Sequence, residues 1–167
     1  FTMIPIIEMC RVCPGMVTAM GVSMGLTGAA ILGKGTIAQK ERWALDLLTL
    51  EKVGAWAITE PNSGSDAFGS MMSTARLDGD EFVLNGSKTF ITNGGSADIV
   101  LVAARTSPEK KAKGISLFAV DTTLDGFSVG RVLDKVGQDE SDTAELAFAN
   151  VRVSNDEICA AIKDVFD

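Results

Sequence analysis

Two short blocks carry the residues that could do chemistry. Residues 57–69 read Ala-Ile-Thr-Glu-Pro-Asn-Ser-Gly-Ser-Asp-Ala-Phe-Gly, and residues 90–95 read Phe-Ile-Thr-Asn-Gly-Gly. In each, an apolar run ends at a threonine, Thr59 or Thr92, and a turn of small residues follows. Such an edge offers hydroxyl and backbone N–H donors to a flat, polar-rimmed ring. Trp56 and Ile58 fall on one face of an extended run over 54–59 by the two-residue period. Pro61 stops a sheet ladder and holds Glu60 extended. Asn62, Ser63, Gly64, Ser65 and Asp66 then form a loop able to aim several N–H groups at a carbonyl or phosphate oxygen. A single loop of this kind reads more readily as an ordinary strand followed by a tight turn. The second block, of matching chemistry, tips the balance towards a binding edge.

Composition narrows the chemistry. A net charge of −7 disfavours nucleic acid or an acidic membrane surface as partner, because phosphate binding needs a basic face. There is no histidine, so the usual proton shuttle and the commonest metal ligand are missing, and no metal site is expected. Cys10, Cys13 and Cys159 are an odd set without framework spacing, as in a reducing compartment. Cys10 and Cys13 form a C-x-x-C, but no second pair completes a zinc site and no strand-to-helix context makes it a redox motif. With 167 residues and 46% hydrophobic content, the chain can bury one sizeable core or two modest ones. It opens at Phe1 in mid-pattern, as a piece of something longer would.

The elements that must position the two blocks fall into two regions. Residues 3–52 read as helical. Within them 12–33 carry no charge and include Gly21 and Gly25 as a G-x-x-x-G, a length that could span a bilayer. Pro14, Gly15, Thr18, Ser23, Thr27, Gly28 and Gly33 dilute the run. A buried helix is therefore expected, its glycines leaving room for a backbone or a ligand, and no membrane span. Residues 28–34 fit the start of a phosphate-binding loop, but Gly35 stands where a magnesium-holding hydroxyl belongs. Gln39 opens a short amphipathic helix with Trp43, Leu47 and Leu50 on one face. From Ala55 the period becomes two. Residues 71–77 and 81–84 flank an Asp78-Gly79 hairpin turn, and Asn85-Gly86 makes a second turn into a strand over 88–92. Residues 98–105 and 114–121 read as buried strands joined by a basic loop, 107–113; strands at 127–132 and 145–153 complete the set. The pattern predicts an α+β chain, a partial helical N-terminal region followed by a small antiparallel β-barrel or sandwich domain.

The block at 57–69 resembles the flavin-contacting segment of acyl-coenzyme A (acyl-CoA) dehydrogenases, and 90–95 resembles its partner strand. Residues 10–52, with Gln39-Lys40-Glu41-Arg42-Trp43, are similar to the last helices of that family's N-terminal helical domain. Residues 53–155 resemble its middle β-domain, through Val136-Gly137 and Phe148-Ala149-Asn150-Val151-Arg152-Val153. The resemblance implies a helical remnant over 1–52, a flavin-contacting β-domain over 53–155, and a tail over 156–167 leading towards a C-terminal helical domain. It implies FAD as cofactor. By motif position Thr59 would hydrogen-bond the flavin's reactive edge, with Trp56, Ile58, Gly64 and Ser65 lining the same face. Phe90 would stand against the ring where many members carry tryptophan, and Ile91 and Thr92 would supply backbone and hydroxyl contacts. Ser65 would also touch the thioester arm of an acyl-CoA substrate. Lys110, Lys111 and Lys113 would lie along the path of its nucleotide end.

Departures limit what carries over. Gly137-Gln138-Asp139-Glu140 places acids where many members have a basic residue, so that turn receives no role. Residues 154–167 lack the family's Pro-containing exit and read as an amphipathic tail. The family's general base is a carboxylate of the C-terminal helical domain; Glu60 sits in a turn before Pro61 and is no substitute, so no catalytic residue is assigned within the chain. The resemblance thus implies a fragment of an FAD-dependent enzyme of fatty acid β-oxidation that makes trans-2-enoyl-CoA. Its electrons would pass to an electron-transfer flavoprotein, and the parent would be a tetramer in a bacterial cytoplasm or, after processing, a mitochondrial matrix. Acyl-CoA oxidases and flavin monooxygenases share the platform, and a non-catalytic β-domain serving assembly is the alternative from another class.

Overall fold

The computed structural model describes residues 3–161. Three helical runs come first: α1 (Met3–Val12), α2 (Pro14–Lys34) and α3 (37–49). Pro14 opens α2, where its missing N–H is not needed. α3 begins at Ile37, two residues before the sequence pattern placed it, because Thr36 and Gln39 form a capping box. The Gln39 N–H donates to Thr36 Oγ1 at 3.2 Å, and the Thr36 N–H donates to Gln39 Oε1 at 2.9 Å. Trp43 and Leu47 are buried as expected, but Leu50 is 40% exposed. Leu50 ends the helix in the left-handed region, φ 61°, and so leaves the helical face it was assigned to.

α2 departs from the expected buried helix. Its buried positions are Gly15, Ser23, Thr27, Gly28 and Ile31, whereas Gly21, Gly25 and Gly33 face open space. Among the described residues it is the one helix long and apolar enough to cross a membrane, by length and composition. Its buried stripe, however, is committed to the rest of the fold. The Gly54 N–H donates to Ser23 Oγ at 2.9 Å, and a Cβ at Gly54 would lie 2.8 Å from Thr27 Cβ. The phosphate-loop pattern at 28–34 lies inside this helix, with no loop N–H groups to cradle an anion. Cys10 is exposed and Cys13 half-buried, both free thiols; the Cys159 side chain lies outside the description.

Among the described residues eight strands follow: β1 (Gly54–Ala57), β2 (Thr74–Asp78), β3 (Glu81–Thr92), β4 (Ile99–Arg105), β5 (Ile115–Asp121), β6 (Phe127–Val132), β7 (Thr143–Ser154) and β8 (Ile158–Ala161). A short helix, α4 (Ala67–Ser70), lies between β1 and β2. The sheet order is β6-β7-β3-β2-β4-β5-β8, with β1 against β4. The α+β expectation holds, with two parallel contacts it did not contain: β1 with β4, and Thr74 of β2 with Arg105 of β4. β4 is buried on both faces by simple alternation. Val100, Val102 and Ala104 join Phe118, Leu84, Phe148 and Val151 on one side. Ile99, Leu101 and Ala103 meet Ile31, Trp43 and Leu47 of the helices on the other. That second layer seats the helices on the sheet.

The Asp78-Gly79 hairpin is present, with Asp78 paired to Glu81 and Gly79 at φ 67°. Asn85-Gly86 is not a turn. β3 runs through it with a register shift after Leu84. The reason lies across the sheet: the Asn150 N–H donates to Asn85 Oδ1 at 3.0 Å, and Asn85 Nδ2 donates to Asn150 Oδ1 at 3.1 Å. Gly86, at φ 152°, lets Ser73 approach, since a Cβ there would sit 2.8 Å from Ser73 Cα. The pair therefore makes a bulge. The basic loop winds as a 3-10 turn over Pro108–Gly114. Where the sequence read as tail, Ile158–Ala161 adds an edge strand beside β5, and Gln39 Nε2 ties it to α3 by donating to the Asp156 and Ile158 carbonyls. Residues 162–167 lie outside the described residues.

Candidate functional site

β1 ends at Ala57, so Ile58 and Thr59 leave the ladder that the sequence pattern had continued through them. They are held by β3 instead. The Thr89 N–H donates to the Thr59 carbonyl at 2.9 Å. Farther along, Asn93 Nδ2 donates to the Gly54 carbonyl at 3.0 Å. Residues 89–93 thus run antiparallel beside 59–54. Thr92 lies three residues past the partner of Thr59, on the order of 10 Å by strand rise. Both threonines are half-buried. Neither hydroxyl, nor the Thr59 N–H, has a protein partner among the described residues. Three free donors on fixed backbone, the two hydroxyls and the Thr59 N–H, with apolar neighbours, suit the polar rim of a flat ring; this is the test a flavin must pass, and the residues fit it.

Beneath Thr59 lies a buried ion pair that sequence reasoning passed over. Lys88 Nζ donates to Glu60 Oε1 at 2.9 Å and to the Ile58 carbonyl at 3.1 Å. The side chains are 0% and 3% exposed. The Glu60 carboxylate also accepts from the Met72 N–H at 2.6 Å and the Ser73 N–H at 3.0 Å. Burial alone would raise the Glu60 pKa, but hydrogen bonding from Ser73, Lys88 and the Met72 N–H holds it below the ordinary carboxylate value. Burial pushes the Lys88 pKa down against the pull of Glu60. The signal available in sequence was a lysine inside an apolar strand and a glutamate before a proline.

The loop after Glu60 is closed by reciprocal backbone bonds between Glu60 and Ser63, each 3.0 Å, and by Ser63 Oγ donating to the Asp66 carbonyl. It leaves Gly64 and Ser65 exposed, with no heavy atom within 4 Å of a Cβ built on Gly64. Arg105 steadies the far side by donating to the Met71, Phe68 and Gly69 carbonyls. The turn carrying exposed Lys113 packs against α4, just beyond Ser65. Ile91 turns its side chain into the core, leaving only its backbone for a ligand. Phe90 is held at φ 57° with its side chain exposed, at 66%, an uncommon conformation for a bulky residue. Asn93, also missed as a site residue, is buried at φ 63°. Its amide donates to Ala19 and Gly54, joining α2, β1 and the end of β3 right after Thr92.

Trp56 and Ile58 pack on the helical side of the sheet, as the two-residue period required. Trp56 lines a cavity of about 300 Å³ with Gly25, Leu26, Ala29, Ala30, Gly33 and Lys34 of α2. Because Gly25 faces open space, Gly25→Leu is expected to leave the melting temperature unchanged or higher, helped by up to about 1 kcal/mol of helix propensity. A clear drop in Tm would show that the cavity is closed by packing.

The geometry has counterparts among known proteins. Residues 55–151, more than half of the chain, match the family described as acyl-CoA dehydrogenase, middle domain. A short-chain specific acyl-CoA dehydrogenase of Clostridium acetobutylicum is 40% identical over 146 residues, covering 87% of this chain and 38% of that protein. The structure of butyryl-CoA dehydrogenase from Megasphaera elsdenii superposes with a TM-score of 0.89 at 37% identity, over 93% of this chain and 40% of that one. A glutaryl-CoA dehydrogenase from Mycobacterium smegmatis, solved in complex with FADH2, superposes at 0.81 with 33% identity, over 88% and 36%. This chain therefore spans well under half the length of these relatives. The matched middle domain, with both threonine blocks inside it, makes this chain a member of the acyl-CoA dehydrogenase family.

Proposed function

We propose that the chain supplies one face of the FAD site in an acyl-CoA dehydrogenase that converts an acyl-CoA thioester to its trans-2-enoyl form. The single observation that carries this reading is the pair of unpartnered threonine hydroxyls on fixed backbone, at the two blocks that resemble the family's flavin contacts. The flavin, when bound, supplies the two-electron acceptor. Thr59 and Thr92 donate to its polar edge, and Trp56, Ile58 and Phe90 cover its apolar body. Gly64 keeps the 60–66 loop open to close approach, and Ile91 contributes backbone. Ser65 meets the thioester arm, and Lys113 the nucleotide end of coenzyme A. The α-proton of the substrate needs a positioned carboxylate. Glu60, nearest to Thr59 in the chain, is buried and fully engaged, so we place that base outside these 167 residues.

The same reading assigns 1–52 to an N-terminal helical domain, 53–155 to the flavin-contacting domain and 156–167 to the approach to a C-terminal helical domain. It takes an electron-transfer flavoprotein as electron acceptor, a homotetramer as assembly, and fatty acid β-oxidation in a bacterial cytoplasm or mitochondrial matrix as setting. Thr59→Val in the full-length protein tests it. The change keeps shape but removes a hydroxyl, leaving a flavin acceptor unpaired at about 1–3 kcal/mol. The expected result is a slower flavin reduction by substrate, about tenfold for each 1.4 kcal/mol lost. An unchanged flavin spectrum and reduction rate would remove Thr59 from the site. Rapid reoxidation of the reduced wild-type protein by air would move the assignment to an oxidase.

A further inference from the structure

We propose that Lys88 is a positioning residue that strengthens Thr59 as a hydrogen-bond donor to the bound flavin, acting through the peptide unit between Ile58 and Thr59. This rests on the flavin reading above. A lysine ammonium with no exposure is costly, and an apolar side chain would fill the same strand position without that cost. What the charge does there is specific. Its Nζ lies 3.1 Å from the Ile58 carbonyl oxygen, the other end of the peptide whose N–H belongs to Thr59. A charge-assisted donor at the carbonyl draws electron density along the peptide and makes the N–H a stronger donor. That N–H has no protein acceptor among the described residues. The next carbonyl, of Thr59 itself, is taken by the Thr89 N–H, so the peptide cannot swing away.

Glu60 makes the arrangement local. It neutralises the ammonium at 2.9 Å and is itself anchored by the Met72 and Ser73 N–H groups. The pair therefore adds no net charge under the site, and its influence passes through the one hydrogen bond to Ile58. Reduced flavin is the more electron-rich state and gains more from a stronger donor than oxidised flavin does. The native lysine thus raises the reduction potential.

The experiment uses the full-length protein loaded with FAD. The two-electron reduction potential and the dissociation constant of oxidised FAD are measured for the wild type, Lys88→Met, and a double variant with Lys88→Met and Glu60→Gln. In the double variant no charge is left buried, and the single glutamine oxygen can still accept from one of the two N–H groups, Met72 or Ser73, that now donate to separate carboxylate oxygens, which guards against misfolding of the single variant. The expected result is a potential more negative by about 30 mV, a tenfold loss of preference for the reduced form for a two-electron couple. Oxidised FAD should bind with little change. A purely structural lysine would weaken both redox forms alike, so an unchanged potential in either folded variant overturns the proposal. A wild-type protein that takes up no FAD overturns the flavin reading itself, a different outcome from a normal flavoprotein whose potential ignores Lys88.

Discussion

Glu60→Ala is expected to lower the stability of the protein by about 3–5 kcal/mol, because it strands the fully buried Lys88 ammonium without its anion. It also frees the Met72 and Ser73 N–H groups, which now donate to the carboxylate. For a protein of this size that corresponds to a Tm lower by about 6–20 °C, taking about 2–4 °C per kcal/mol. The double variant with Lys88→Met and Glu60→Gln should lose much less, since no charge remains buried. The pH dependence has a definite sign. Glu60 has a folded pKa below its ordinary value of 4.5. Its contribution is therefore complete above that value and is lost as the pH falls through the folded pKa. Wild-type stability should drop steeply in this acid window, and the Glu60→Ala variant should show a shallower slope there. Denaturant titrations at pH 7 and across the acid range check both points. A cost under 1 kcal/mol with parallel pH profiles would mean that the pair contributes little to the fold.

The 167-residue chain by itself is expected to show no sustained turnover with FAD, an acyl-CoA and an artificial electron acceptor, a loss of essentially the whole activity of the full-length protein. One face of a cofactor site forfeits much of the apolar burial and many donors, while the cost of immobilising the ligand barely falls. The carboxylate nearest the threonine edge is locked in its ion pair and cannot reach a substrate. The helical end adds a second obstacle. Met3, Ile4 and Val12 of α1 stand exposed, Val12 at 87%, and such a surface favours self-association. Acceptor reduction above the free-flavin background would place a working base inside these residues and sink the proposed division of labour. Size-exclusion chromatography of the same sample separates aggregation from a soluble but inactive chain.

The sequence by itself determined what depends on near neighbours. The buried apolar runs of β4 and β5, the Asp78-Gly79 reversal, and the change from a helical to a strand period near Ala55 are local patterns, and the structure keeps them. The turn at 60–66 was legible for the same reason, though β1 stops at Ala57, short of Thr59. Asn85-Gly86 was not. The same dipeptide serves a turn or a bulge, and the choice fell to Asn150, 65 residues away on β7. Nor was the buried pair under Thr59, whose partners stand 28 residues apart and become neighbours only when β3 lies beside the end of β1. α2 is the clearest case. Its composition announced an apolar helix, yet which stripe is covered depended on where Gly54 and Leu47 came to rest against it. Composition fixes how much surface a helix would gain by burying. Only the packing of distant elements decides which face meets a partner and which glycines are left open to a ligand.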